Sequence, residues 1–137
     1  MKKINCILLI DDNSADNEFH SIIIKRSELS NQVKVTVNGE KALEYLKNSA
    51  LPGNEEEFPK PDIIYLDINM PRMNGFEFLE EYNKLDEKMR APVLVILTTS
   101  LNPEDVVKAK SLGANGLENK PLTQEMLADI IDNFFKE

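Results

Sequence analysis

Three aspartates and two threonines stand where short apolar runs end, and a lysine follows a short polar one. Asp11-Asp12 closes Ile7-Leu8-Leu9-Ile10, and Asp67 closes Ile63-Ile64-Tyr65-Leu66. Thr98-Thr99 closes Val93-Leu94-Val95-Ile96-Leu97, and Lys120-Pro121 follows Leu117-Glu118-Asn119. Taken alone, an acidic pair after such a run is an ordinary helix-capping turn. Asp67 is different, because four apolar residues deliver it beside that pair if the runs are neighbouring strands. Three carboxylates brought together repel one another, which raises their pKa values unless a cation intervenes. A hard divalent cation, Mg²⁺ or Mn²⁺, prefers oxygen ligands, relieves the repulsion and, in the case of Mg²⁺, keeps several waters. Lys120 adds a fixed positive charge and Thr98 a neutral hydroxyl. Together these groups meet the needs of phosphoryl transfer: a carboxylate nucleophile, a metal and a lysine on the phosphoryl oxygens, and a hydroxyl to receive one of them.

The elements that must position these residues are legible as five alternations of strand and helix. The first, third and fourth runs are short and continuously apolar, as expected of parallel strands buried on both faces. Val33-Lys34-Val35-Thr36-Val37 alternates, and Leu117-Glu118-Asn119 is short and polar; both read as edge strands. Helical patterns lie between them. Ala15, Phe19, Ile22 and Ile23 form one stripe capped by Asn13 or Ser14. Ala42, Leu43 and Leu46 follow Gly39, while Phe76, Leu79 and Tyr82 or Asn83 follow Gly75. Pro103 opens a helix with Val106, Val107 and Ala109 that stops at Gly113, and Thr123 opens one carrying Met126, Leu127, Ile130, Ile131 and Phe134. The fold implied is α/β, a doubly wound five-stranded parallel sheet in the order 2-1-3-4-5, a flavodoxin-like three-layer sandwich. In such sheets ligands bind beyond the carboxyl ends of the strands, where the residues above fall. Asn48 to Pro61, with Glu55 to Glu57, is an extended surface loop or an added turn on the second helix.

With 137 residues, the chain is the size of one domain, against a norm of about 150, and residues 1–137 are expected to form it. A net charge of −8 argues against a nucleic-acid partner, which needs clustered lysine and arginine. A hydrophobic content of 42% excludes wholesale disorder. The single cysteine, Cys6, cannot make an internal disulfide, and no Cys/His cluster suits zinc. No apolar run approaches the roughly 18 residues that cross a bilayer. The Met1-Lys2-Lys3 start and its apolar run superficially suit a signal peptide, but two aspartates close the run and no small-residue cleavage site follows. A cytoplasmic protein is expected.

Asp11-Asp12, the run Asp67-Ile68-Asn69-Met70-Pro71-Arg72-Met73-Asn74-Gly75, Thr98 and Lys120-Pro121 together resemble the receiver domain of two-component response regulators, over about Ile4 to Phe135. The resemblance implies that Asp67 is the phosphoacceptor, taking phosphate from the phosphohistidine of a sensor histidine kinase or phosphotransfer protein. It implies that Asp12, Asp67 and the backbone carbonyl of Asn69 ligate Mg²⁺, with Asp11 acting through a metal-bound water. It implies that Lys120 pairs with Asp67 and then with the phosphoryl oxygens, aimed by a cis peptide bond to Pro121, and that Thr98 swings its hydroxyl onto the phosphoryl group. The Asn48–Pro61 loop is similar to extensions of stand-alone receivers paired with phytochrome-type kinases. Two positions depart from the common pattern. Leu117 stands where an aromatic residue is usual, which puts coupling through an aromatic rotamer in doubt. Thr99 stands where alanine or glycine is common, and its branched side chain is expected to slow attack of water on the acyl phosphate.

Nothing follows Glu137 in this sequence, so the output expected is a binding surface: the fourth helix, fifth strand and fifth helix, meeting a downstream protein or a second copy. Three rivals share parts of the pattern. A haloacid-dehalogenase-like aspartyl phosphatase wants a second acid where Asn69 stands. A flavin carrier wants a Ser/Thr/Gly-rich phosphate loop where Asp11-Asp12-Asn13 stands. A pseudo-receiver would not need Asp12, Asp67, Thr98 and Lys120 intact. Elsewhere, His20 reads as a solvated or boundary residue, Cys6 as a small buried hydrophobe, Met70, Met73 and Met89 as packing, and Phe134-Phe135 as closing the last helix on the core.

Overall fold

The computed structural model describes residues 3–99 and 101–135. Met1, Lys2 and Glu137, which entered the reading of the termini, lie outside them. The strands are β1 (Ile4–Ile10), β2 (Ser30–Thr36), β3 (Ile63–Leu66), β4 (Val93–Thr98) and β5 (Gly116–Asn119). The helices between and after them are α1 (Ser14–Ser27), α2 (Gly39–Ser49), α3 (Gly75–Tyr82), α4 (Pro103–Ser111) and α5 (Gln124–Phe134). All pairings are parallel, in the order β2-β1-β3-β4-β5, which is the doubly wound arrangement expected.

The apolar runs are continuous because alternate residues feed two cores. Leu8, Ile10, Ile64, Leu66, Leu94 and Ile96 pack under α2, α3 and α4 against Ala42, Leu46, Phe78, Leu79 and Ala109. Ile7, Leu9, Ile63, Tyr65, Val95 and Leu97 face α1 and α5, against Ile24, Leu127, Ile130 and Ile131. Each fully buried Leu or Ile contributes about 1.5–3 kcal/mol, so β1, β3 and β4 form the rigid centre. β2 and β5, half-buried at the edges, carry the polar residues.

Every helix begins the same way. Asn13, Asn38, Asn74, Asn102 and Thr123 each turn a side-chain oxygen onto the N–H three residues ahead. This satisfies one orphan donor at each start and sets the point where the loop becomes a helix. Asn13, not Ser14, caps α1.

Three local expectations fail, and the open choice between loop and added turn after α2 is resolved in favour of the loop. On α1 the buried residues are Asn17, His20 and Ile24, while Phe19 is 47% and Ile22 40% exposed; of the apolar stripe only Ile23 packs against the core, and His20 is buried. On α4 Val107 is exposed, and only Ala109 is fully packed. At the end of α5 Phe134 is exposed, while Phe135 packs against the core. The Asn48–Pro61 segment adds no turn to α2, which ends at Ser49. Instead the Tyr45 hydroxyl donates to the Pro59 carbonyl at 2.6 Å and its ring meets Phe58 edge-on, which pins the far end of the loop to α2. Cys6 is buried as expected.

Candidate functional site

Backbone hydrogen bonds carry the sheet one residue past its strands and set the key residues abreast. The N–H of Asp11 donates to Thr36 O, that of Asp67 to Ile10 O, and that of Lys120 to Thr98 O, at 2.8–3.2 Å. The loop after Asp67 is clamped from behind, since Gly75 N–H donates to Ile68 O at 3.1 Å. Asn74 and Glu77 then close a capping box at the start of α3, which fixes where the loop ends.

Carboxylate oxygens of Asp11, Asp12 and Asp67 come within 4.8 Å of one another. Asp11 and Asp67 are buried and Asp12 is exposed, so the cluster opens to solvent on the Asp12 side. All donors are hard oxygens, and an excess of negative charge remains after one lysine is counted. That donor set fits a small divalent cation that keeps part of its water shell.

The Lys120 ammonium lies 2.6 Å from Asp11 Oδ2, 2.8 Å from Asp16 Oδ2 and 3.7 Å from Asp67 Oδ2. The expected Lys120–Asp67 pair is therefore a long contact, beyond hydrogen-bond range; the short bonds go to Asp11 and Asp16. Burial opposes the charge on Lys120, but hydrogen bonds to Asp11 and Asp16, with Asp67 nearby, outweigh it and raise its pKa above the ordinary value. The Lys120-Pro121 peptide is cis. Thr98 is fully buried at the end of β4, and its hydroxyl accepts a hydrogen bond from the Asn69 amide at 3.0 Å. Asn69 N–H in turn faces Asp67 Oδ1 at 3.3 Å. Thr99 is exposed beside Thr98, and Leu117 is half-buried against the core under α2, α3 and α4.

The sequence reading missed Asp16, Asn17 and the second role of Asn13. Buried Asn17 donates from Nδ2 to Asp11 O at 2.8 Å, and Asn13 N–H donates to Asp11 Oδ1 at 2.9 Å. These bonds orient Asp11 from both its backbone and its side chain. The available signal was Asn13-x-x-Asp16, a cap residue followed three positions later by an acid.

With this geometry in place, the chain can be set beside known proteins. Residues 7–132 match the response regulator receiver domain family. The chain is 34% identical to the response regulator Rcp1 of Synechocystis over 80% of its own length and 71% of that protein. The Mn(2+)-bound form of Rcp1 superposes with a TM-score of 0.71, at 30% identity, covering 96% of this chain and 94% of that one. A two-component response regulator from Cytophaga hutchinsonii gives a TM-score of 0.85 at 28% identity, covering 99% and 100% of the two chains. The phosphorylated cyanobacterial phytochrome response regulator RcpA gives 0.72 at 28% identity, covering 97% and 91%.

Proposed function

Because the chain belongs to the response regulator receiver domain family, we propose that it accepts a phosphoryl group on Asp67 from a histidine kinase or phosphotransfer protein and signals through a surface that changes as a result. The observation carrying this reading is the meeting of Asp11, Asp12 and Asp67 within 4.8 Å, with Lys120 and buried Thr98 beside them. The similarity to a phosphorylated phytochrome response regulator and to a Mn(2+)-bound one supports it.

In this reading a carboxylate oxygen of Asp67 attacks the phosphorus of a phosphohistidine. The O–P bond forms as the N–P bond breaks, and the imidazole nitrogen leaves with the electron pair. Asp12, Asp67 and the Asn69 carbonyl, supported by Asp11, would hold Mg²⁺ or Mn²⁺, which would offset charge on the phosphoryl oxygens. Lys120 supplies the second, fixed positive charge. Thr98 exchanges its bond with the Asn69 amide for one to a phosphoryl oxygen. Since Thr98 ends β4 and leads towards α4, its shift reaches the face formed by α4, β5 and α5, where a downstream protein or a second copy docks. The protein turns over no small-molecule substrate beyond its own phosphorylation and dephosphorylation.

Incubation with acetyl phosphate and Mg²⁺, read by intact mass, tests the proposal. One phosphoryl adduct is expected, absent in Asp67→Asn and absent after EDTA. Adduct formation that survives Asp67→Asn, or no adduct at any Mg²⁺ concentration, would overturn it. Repeated release of phosphate from an unactivated phosphomonoester would point to a phosphatase.

A further inference from the structure

The same cap sequence opens two helices and ends in two different bonds. At α3, Asn74-x-x-Glu77 closes on itself: Asn74 accepts from Glu77 N–H at 2.9 Å, and Glu77 accepts from Asn74 N–H at 3.0 Å. At α1, Asn13 accepts from Asp16 N–H at 3.0 Å, but the reciprocal bond is missing. Asn13 N–H is taken by Asp11 Oδ1, and the Asp16 carboxylate turns to Lys120 Nζ at 2.8 Å. The acid that ordinarily completes a capping box is thus spent on the ammonium beside Asp67.

An ammonium has three donors. Two of those on Lys120 go to Asp11 and Asp16, while Asp67 waits at 3.7 Å. A third donor remains, but the two short bonds fix where the nitrogen sits, 3.7 Å from Asp67, and drawing it to within about 2.8 Å of that carboxylate or its phosphoryl group is resisted by them. The Asp11 side chain is 7% exposed and held by Asn13 N–H, whereas that of Asp16 is 35% exposed at the rim. Asp16 is the partner that yields.

We infer that Asp16 is a positioning residue that acts as a latch, holding the Lys120 ammonium off Asp67 until a phosphoryl group draws it across. The inference rests on the reading of Asp67 as phosphoacceptor. Loosening the Lys120–Asp16 pair adds to the barrier for phosphorylation. Once the phosphoryl group is in place the pair is already broken, so the barrier for hydrolysis is unaffected.

Asp16→Asn keeps the size and the exposed position of the side chain and removes its charge. A partly exposed ion pair contributes up to about 1 kcal/mol, so phosphorylation by acetyl phosphate should quicken up to roughly fivefold, with the decay rate unchanged. Asp16→Glu should stay near wild type. A crystal structure of Asp16→Asn should show Lys120 Nζ within hydrogen-bond distance of Asp67. A general packing role for Asp16 does not produce this separation of forward and reverse rates. Unaltered phosphorylation, equal acceleration of both rates, or Lys120 still as far from Asp67 as in wild type overturns the latch. Should wild-type protein take no phosphoryl group from any donor, the reading of Asp67 falls, and the position of Lys120 in Asp16→Asn then decides the latch alone.

Discussion

A methyl group on Gly75 would sit 2.6 Å from the Cα of Ile68 and 2.9 Å from the carbonyl oxygen of Asp67. Both are backbone atoms of the segment that presents Asp67, the proposed phosphoacceptor, so neither can swing aside. Gly75→Ala should therefore cost about 1–3 kcal/mol of stability in urea unfolding, and phosphorylation of the folded fraction should slow because Asp67 is displaced. Wild-type rates in the variant would show that the loop gives way elsewhere. At the other side of the site, Thr99 is exposed next to the end of β4. Thr99→Ala should shorten the lifetime of the phosphorylated state by roughly fivefold, about 1 kcal/mol of barrier; equal decay rates remove Thr99 from the account. The end-of-run positions of Asp11, Asp12, Asp67 and Thr98 were legible in the sequence because strand ends are marked by the change from apolar to polar residues; Lys120 follows the polar strand Gly116–Asn119 and carries no such mark. The bond from Asn69 to Thr98 was not legible either, because an amide on a polar loop carries no periodic signature.

At the scale of the element, α1 is the part that sequence pattern described worst. Its apolar residues Phe19 and Ile22 point outward while Asn17 and His20 point in. Periodicity ranks residues by hydrophobicity alone, and here the inner face lies beside a polar site that offers Asn17 a backbone carbonyl on Asp11. Burying His20 has a cost that depends on pH. Burial lowers its pKa below the ordinary value, Lys120 lowers it further, and Asp16 and Asp11 pull weakly the other way. The unfolded chain therefore binds the proton more readily, and stability rises with pH across the interval where the two states differ. The contribution is complete above the ordinary histidine pKa of about 6.5 and is lost as the pH falls through the lower folded value. Urea unfolding between pH 7 and about 5.5 should show falling stability, and His20→Gln should flatten that slope; parallel slopes would assign the loss to other groups. By contrast β1, β3 and β4 were plain in the sequence, since helices cover both their faces and nearly every position is apolar, Asn5 and Thr98 being the exceptions.

Across the whole molecule, the interior strand β1 feeds both layers of the core, and Cys6 lies within it, fully buried. Burial pushes its thiol up to about 11, so in the closed sheet at pH 7 Cys6 is held as the unreactive thiol. Iodoacetamide should leave the native protein unlabelled for as long as the sheet stays closed and label it promptly in urea; rapid native labelling would mean that β1 opens locally. No helix among the described residues is long and apolar enough to cross a membrane. What sequence could not reveal at this scale is Asp16, because its partner lies 104 residues away and no local pattern reaches that far. That separation also has a meaning for synthesis. A nascent chain emerging from the ribosome displays its aspartates long before β5 arrives with Lys120. Until then the aspartates lack the ammonium that the finished protein sets among its carboxylates, so the charge balance of the cluster is completed only once β5 has been made.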